Sequence, residues 1–254
     1  MIFMKIGAST LAGLENGLEE TLDFIETLGI EYAELVHQFP TEYPVKDVLE
    51  SYNLKYSIHS PFMDVNIASL QEKSRVNSVG QIKDSIDFAC EIDGEAVVVH
   101  PGLASFLASK YFLSDVYNYA NESIREIKKY GDDAGVLVTV ENMPDFDAMI
   151  YKDVGDLNSF LVGLDMGMTL DVGHAHHMKY SPDEMIFDSI KHIHLHDNSG
   201  DDDSHLAFGE GNIDLKYIIN TLEDKKYKGI YIIEVNDLDS VEKSYKYLKK
   251  NFKI

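Results

Sequence analysis

The sequence predicts an α/β protein built as a single (β/α)8 TIM barrel over residues 1–254. Short β-rich runs alternate with helical patterns, about one pair every 30 residues, which is the length of a βαβ unit. Such units build a parallel sheet, and eight of them in about 250 residues are typical of a closed barrel. The motifs G-x-G-x-x-G and G-x-x-x-x-G-K-[ST], typical of open nucleotide-binding sheets, do not occur in the sequence.

The first unit shows the pattern that predicts each element. MKIGAS (4–9) has the short and mostly apolar character of a buried strand. The apolar residues that follow are spaced for one face of a helix: Leu14, Leu18, Leu22, Ile25 and Leu28. The first βα unit is therefore expected to end near residue 28.

The remaining units repeat this order along the chain. The eight predicted strands are 4–9, 33–36, 56–59, 96–100, 136–141, 168–174, 192–196 and 230–234. The helices predicted after them lie near 14–28, 45–52, 76–86, 114–130, 153–162, 182–189, 213–223 and 241–248. The active site of a (β/α)8 barrel lies at the carboxyl ends of its strands, so the residues there are the first candidates for chemistry.

The formal charge of −22 bears on the class of partner. Nucleic-acid binding rests on Lys and Arg, and the only arginines are Arg75 and Arg125, so DNA is disfavoured as a partner. The single cysteine, Cys90, excludes an internal disulfide. MIFMKIGAST lacks the apolar core of a signal peptide, and no apolar run approaches the roughly 18 residues that span a membrane. We therefore expect a cytoplasmic protein without a membrane partner.

Six predicted strands deliver a His, Asp or Glu to the same rim. These residues are His59, His100, Glu141, Asp171, His174, either His194 or His196, and Glu234, and the loop after the seventh strand adds Asp203 and His205. Carboxylates gathered at one rim repel one another, and no arginine follows Arg125 to balance them. Mixed His and carboxylate ligands suit zinc, with manganese or iron as alternatives. The pattern therefore predicts a metal site at the carboxyl-terminal rim.

At these residues the chain resembles the xylose isomerase-like TIM barrel superfamily (AP endonuclease family 2), and within it the endonuclease IV branch. The matching motifs are HSPF (59–62), HPG (100–102), EN (141–142), DVGH (171–174), HLHD (194–197) and DSH (203–205) before GEG, with Glu234 in the last strand. The HLHD match selects His194 rather than His196 as the strand ligand. His192 and His196 are then expected to play supporting roles.

The endonuclease IV branch holds three zinc ions, so the resemblance implies up to three Zn²⁺ here, with Mn²⁺ or another divalent metal as the alternative. It implies that Glu141 bridges two metals, that His59 and His100 complete the first, that Asp171, His194 and Glu234 complete the second, and that His174, Asp203 and His205 hold the third. Because the complete ligand set matches, we expect a metal-dependent hydrolase of phosphoesters, with abasic sites in DNA as one substrate and Glu141 and Glu234 as catalytic residues.

Two other functions are open. The sugar isomerases and epimerases of the same superfamily keep one metal, on positions that match Glu141, Asp171, His194 and Glu234, and their two glutamates move a proton on a small sugar or sugar-phosphate substrate. The acidic charge and the short loop DNSGDDDS (197–204), which would repel phosphates, favour this alternative. The third alternative is a barrel without catalysis that keeps metals for structure or binding. The oligomeric state does not follow from the sequence.

Overall fold

The computed structural model describes residues 4–38 and 43–254, so residues 1–3 and 39–42 of the predicted domain lie outside it. Eight parallel strands form a closed barrel in chain order, and β1 pairs with both β2 and β8. The strands are β1 (Lys5–Ser9), β2 (Tyr32–Val36), β3 (Lys55–His59), β4 (Val97–Val99), β5 (Val138–Glu141), β6 (Gly167–Asp171), β7 (Ile190–Leu195) and β8 (Ile230–Ile233). The predicted (β/α)8 barrel is confirmed.

Helices follow the strands and pack their apolar faces against the barrel. They are α1 (Leu18–Leu28), α2 (Lys46–Leu49), α3 (Glu72–Glu91), α4 (Phe106–Tyr111), α5 (Leu113–Ala134), α6 (Val154–Val162), α7 (Val172–His177), α8 (Leu215–Asp224) and α9 (Leu238–Asn251). In α1 the buried side chains Leu22 and Ile25 face the core, and Gly29 ends the helix in the left-handed conformation that glycine adopts without strain. None of the helices in 4–38 and 43–254 is long and apolar enough to cross a membrane.

Several element boundaries differ from the predicted ones. The sixth strand ends at Asp171 rather than at residue 174, because the Asp171 carboxylate accepts a hydrogen bond from the backbone N–H of His174 and caps α7. His174 therefore lies on a helix that begins directly after the strand. The predicted helix at 182–189 is only a short 3-10 turn at Pro182–Glu184, and α4 was not predicted. Leu14 precedes α1 and is exposed, so its assignment to the buried helix face is wrong.

The tight packing of the barrel wall at Gly7 gives a test of the fold. A Cβ atom at Gly7 would lie 2.5 Å from Cδ1 of Ile232 and 2.9 Å from Cβ of Tyr32. We expect Gly7→Ala to lower the free energy of unfolding by about 1–3 kcal/mol, because extra volume in a packed wall forces neighbouring atoms to move. Urea denaturation measures the change.

Gly80→Ala is the matched control for this substitution. Gly80 lies within α3, where a Cβ atom would meet nothing within 4 Å. Alanine inside a helix is favoured over glycine by about 0.5–1 kcal/mol, so the same chemical change should stabilise the protein here. Equal effects at the two positions would contradict this account of the barrel wall.

Candidate metal centre

Glu141, the last residue of β5, lies at the centre of the rim. Its Oε2 atom is 3.1 Å from Nε2 of His100 and 3.5 Å from Nε2 of His59, which lie at the ends of β4 and β3. Its Oε1 atom is 2.9 Å from Nδ1 of His194 in β7. The two carboxylate oxygens thus face two different sets of histidines, an arrangement that suits a residue bridging two metals.

The first candidate centre, called here the carboxylate centre, consists of Glu141, Asp171, His194 and Glu234. Their ligand atoms all lie within 4.8 Å of one another, and Nδ1 of His194 is 3.0 Å from Oε2 of Glu234. All four side chains are buried. Oε2 of Glu141 and Oδ2 of Asp171 have no hydrogen-bond partner among the described residues. Three buried carboxylates repel one another unless a cation lies between them, so this donor set fits a divalent metal.

A second candidate centre, called here the histidine centre, consists of His174, His196, Asp203 and His205. Oδ2 of Asp203 lies 3.2 Å from Nε2 of His174 and 3.4 Å from Nε2 of His205. Oδ1 of Asp203 lies 3.4 Å from Nε2 of His196. Nε2 of His196 is also 3.1 Å from Oδ1 of Asp171. The histidine centre therefore lies directly beside the carboxylate centre. Histidines with one carboxylate form the donor set that zinc prefers.

The tautomers of three rim histidines support metal binding. His59, His174 and His205 each place Nδ1 2.8 to 2.9 Å from a backbone carbonyl oxygen. A carbonyl oxygen can only accept, so Nδ1 carries the hydrogen and Nε2 presents its lone pair unless the ring is charged. Each Nε2 faces a carboxylate oxygen of Glu141 or Asp203. A lone pair opposite an anion is stable only with a proton or a metal ion between them, and backbone-oriented imidazoles are typical of metal ligands.

The carboxylates and histidines of the rim stabilise each other's charged forms. Burial alone would raise the pKa of the Glu141 carboxyl, but His194 and the other histidines lower that pKa well below its ordinary value. Burial would lower the pKa of His194, yet the carboxylates of Glu234 and Glu141 raise it well above its ordinary value. Burial alone would lower the pKa of His205, but the hydrogen bond with Asp203 raises that pKa to about 9. A site that holds protons this tightly also attracts divalent cations, which bind by displacing those protons.

Two residues that contact the candidate centres were not predicted from the sequence. His196 was expected to play a supporting role, but it lies with His174, Asp203 and His205 in the histidine centre. Glu34 lies inside β2 rather than at a strand end, and it was not among the predicted site residues. It is fully buried and lies 2.7 Å from Nε2 of His192 and 2.8 Å from Nε2 of His194. The signal that could have identified it is an acid within the otherwise apolar strand YAELV, since buried charges need partners.

The loop between β7 and α8 carries Asp203 and His205 to the rim. Asp197, directly after β7, organises this loop, because its carboxylate accepts hydrogen bonds from the backbone N–H groups of Gly209 and Ile213. The loop leaves Asp201 and Asp202 exposed, and the segment 197–211 contains no Lys or Arg. This part of the rim would therefore repel the phosphates of a nucleic acid.

Known proteins resemble the chain over most of its length. An uncharacterised protein of Methanocaldococcus jannaschii is 32% identical, with a match that covers 99% of this chain and 90% of that protein. A crystal structure of a D-tagatose 3-epimerase-like protein is 31% identical, with a TM-score of 0.88 over 98% of this chain and 97% of that chain. A probable endonuclease 4 of Aquifex aeolicus is 24% identical over 77% of each chain.

These similarities correct the predicted enzyme class. The prediction of an endonuclease IV-like hydrolase is wrong, because the solved structure that matches nearly the whole chain at 31% identity is epimerase-like. The similarity to the endonuclease is weaker and covers less of the chain. The prediction rested on the match of the complete ligand set, which does not identify the substrate, whereas the acidic loop at 197–211 is unsuited to DNA.

The resemblance to the superfamily itself is confirmed. The family model of xylose isomerase-like TIM barrels matches residues 22–251, which include every rim residue named above. The closed eight-stranded barrel and the convergence of His, Asp and Glu side chains at its carboxyl-terminal rim agree with this match. The chain therefore belongs to the xylose isomerase-like TIM barrel family.

Proposed function

We propose that the protein is a divalent-metal-dependent epimerase or isomerase that acts on a small sugar with a carbonyl group. The observation that carries the proposal is the carboxylate centre, where Glu141 and Glu234 both lie within 3.0 Å of Nδ1 of His194. The similarity to a D-tagatose 3-epimerase-like protein supports the same class of reaction. The acidic rim loop suits a small, uncharged substrate better than a polyphosphate.

Epimerisation beside a carbonyl group requires two acid–base groups at one carbon. One carboxylate removes the proton from the carbon next to the carbonyl, which leaves an enediolate. The other returns a proton to the opposite face, which gives the epimer, or to the neighbouring carbon, which gives the isomer. Glu141 and Glu234 are the residues of the carboxylate centre that would carry out these transfers. Burial of both side chains keeps bulk water from quenching the intermediate.

Glu141, Asp171, His194 and Glu234 would hold the metal that this chemistry uses. A bound Mn²⁺ or Zn²⁺ would polarise the carbonyl and hydroxyl oxygens of the sugar and so make the adjacent C–H bond more acidic. Asp171 is already oriented for this role, since one of its oxygens caps α7 while the other has no hydrogen bond among the described residues. His59, His100 and the histidine centre are candidates for further metal ions, which the one-metal reaction does not require.

The wall beside Glu141 is partly aromatic. The ring of Phe62 stacks on His100, with centroids 5.3 Å apart, and meets the edge of His59 at 5.1 Å. This packing holds both imidazoles against Oε2 of Glu141 and leaves a less polar surface next to it. Such a surface would contact the C–H face of a sugar, while the carboxylates would accept hydrogen bonds from its hydroxyl groups.

The proposal is tested by hydrogen exchange, which detects the reaction whichever sugar is formed. The protein, loaded with Mn²⁺ or Zn²⁺, is incubated in D₂O with a panel of ketoses, aldoses and their phosphates. Proton NMR should show loss of the C–H signal next to the carbonyl of one sugar, together with a second sugar. The chelated protein is the control and should show neither change. A metal-loaded protein that exchanges no sugar on the panel, yet nicks a duplex with an abasic site, would overturn the proposal.

A further inference from the structure

Glu34 is a buried carboxylate that the reaction outlined above does not use. It lies in the middle of β2, one layer below the rim, and its side chain is fully shielded from solvent. Its Oε2 atom accepts a hydrogen bond from the hydroxyl of Ser57 at 2.9 Å and one from Nε2 of His192 at 2.7 Å. Burying an ionised carboxylate costs several kcal/mol of desolvation free energy unless the charge is paired. Its neighbours therefore indicate what it does.

The second oxygen of Glu34 points to a metal ligand. Oε1 is 2.8 Å from Nε2 of His194, although the ring is not aligned for a straight hydrogen bond. Neither atom has a hydrogen-bond partner elsewhere among the described residues. The opposite nitrogen of the same ring, Nδ1, faces Glu141 and Glu234 in the carboxylate centre. His194 is thus held between one carboxylate below it and two above it.

This geometry favours metal binding through Nδ1 of His194, the nitrogen that faces the other ligands of the carboxylate centre. An ionised carboxylate can only accept hydrogen bonds, so Glu34 favours a hydrogen on Nε2 of His194 and Glu141, at 2.9 Å, favours one on Nδ1. A divalent metal in the carboxylate centre would replace the hydrogen on Nδ1 and leave the one on Nε2 beside Glu34. Once Nε2 carries the hydrogen of a neutral ring, Nδ1 has a free lone pair, directed toward Glu141 and Glu234. The Nε2–H of His192 and the Ser57 hydroxyl hold the Glu34 carboxylate in place from the other side.

We propose that Glu34 is a positioning residue that fixes the tautomer and orientation of His194 for metal binding through Nδ1. This inference rests on the proposed metal-dependent reaction at the carboxylate centre. It concerns a different residue, since Glu34 faces Nε2 of His194, on the opposite side of the ring from Glu141 and Glu234. Carboxylates behind a metal-binding histidine raise its affinity for the metal, and their loss typically costs about 10–100-fold in affinity.

Glu34→Gln tests the proposal because the amide has nearly the same shape as the carboxylate. Its NH₂ group can donate to Nε2 of His194, which would move the ring hydrogen to Nδ1 and block the metal-binding lone pair. We expect the affinity of His194 for Zn²⁺ to fall by about 10–100-fold. The measurement is a Zn²⁺ titration followed by ¹⁵N NMR of histidine-labelled protein, with the His194 signals identified by their absence in His194→Asn. These spectra report the tautomer and the affinity at this one ring.

Ser57→Ala is the matched control, because it removes a hydrogen bond from Glu34 but keeps the charge beside His194. It should affect the affinity less than Glu34→Gln does. If Glu34→Gln fails to fold, the wild-type spectrum with Zn²⁺ still decides, since the proposal requires hydrogen on Nε2 and metal on Nδ1 of His194. Metal on Nε2, or an unchanged affinity in Glu34→Gln, overturns the inference and leaves the proposed function standing. A wild-type protein whose His194 signals do not respond to Zn²⁺ or to other divalent metals overturns the proposed function instead.

Discussion

Replacement of Glu234 by glutamine is expected to lower the rate of sugar interconversion by about 10²–10⁴-fold while the barrel stays folded. A carboxylate that accepts and returns a proton contributes roughly this factor, and an amide of the same shape cannot replace it. The side chain is buried beside His194, so the substitution removes a charge from the reacting centre without leaving a cavity. Glu141→Gln should be at least as damaging, because Glu141 also contacts His59 and His100.

Two measurements separate a lost proton transfer from a lost metal. Turnover is followed by the appearance of the second sugar, and metal content is determined on the same sample after dialysis against excess metal. Retained metal with slow C–H exchange in D₂O assigns the loss to acid–base chemistry. Glu126→Gln is the matched control, since Glu126 is an exposed residue of α5 that pairs with Lys83 away from the rim. A Glu234→Gln protein with wild-type turnover would exclude this glutamate from the reaction.

The candidate site was largely predictable because strand geometry carries it. Alternation along a strand puts every second side chain on one face, so His192, His194 and His196 point the same way. The structure places all three in buried positions, where they contact Glu34, Glu141 and Asp171 in order from the barrel interior to the rim. Spacing alone does not determine how deep each one lies, because depth depends on register with the neighbouring strands.

The residues that were missed depend on contacts between distant segments. Glu34 contacts His192, more than 150 positions away in the sequence, and the acid in YAELV indicates only that a partner is needed, not which residue supplies it. His196 joins the histidine centre only because the loop after β7 folds back, held by the Asp197 carboxylate. The enzyme class was missed for another reason. The metal-binding residues indicate how a cation is bound, whereas the substrate is selected by the protein surface around the metal site.

Exhaustive removal of metal should abolish turnover, and readdition of Mn²⁺ or Zn²⁺ should restore it. The three carboxylates of the carboxylate centre are buried, so a divalent cation that binds only the folded protein stabilises it through mass action. With free metal at about 100 times its dissociation constant, that stabilisation is about 2.7 kcal/mol. Thermal unfolding with and without metal measures the shift in Tm, and elemental analysis measures occupancy. Less than one metal per chain after reconstitution would exclude the metal-dependent reaction.

Asp171→Asn sharpens this last prediction. Asp171 caps α7 through one oxygen, a role that an asparagine side chain can keep, but its other oxygen faces the carboxylate centre. The variant should therefore fold and yet lose most of the metal-dependent rise in Tm, whereas Asp188→Asn, at an exposed residue paired with Lys225, should keep the full rise. The metal-free protein should remain folded in both cases, because protonated histidines can pair with the same carboxylates. Metal and protons then compete for one set of side chains, so metal binding should weaken as the pH falls.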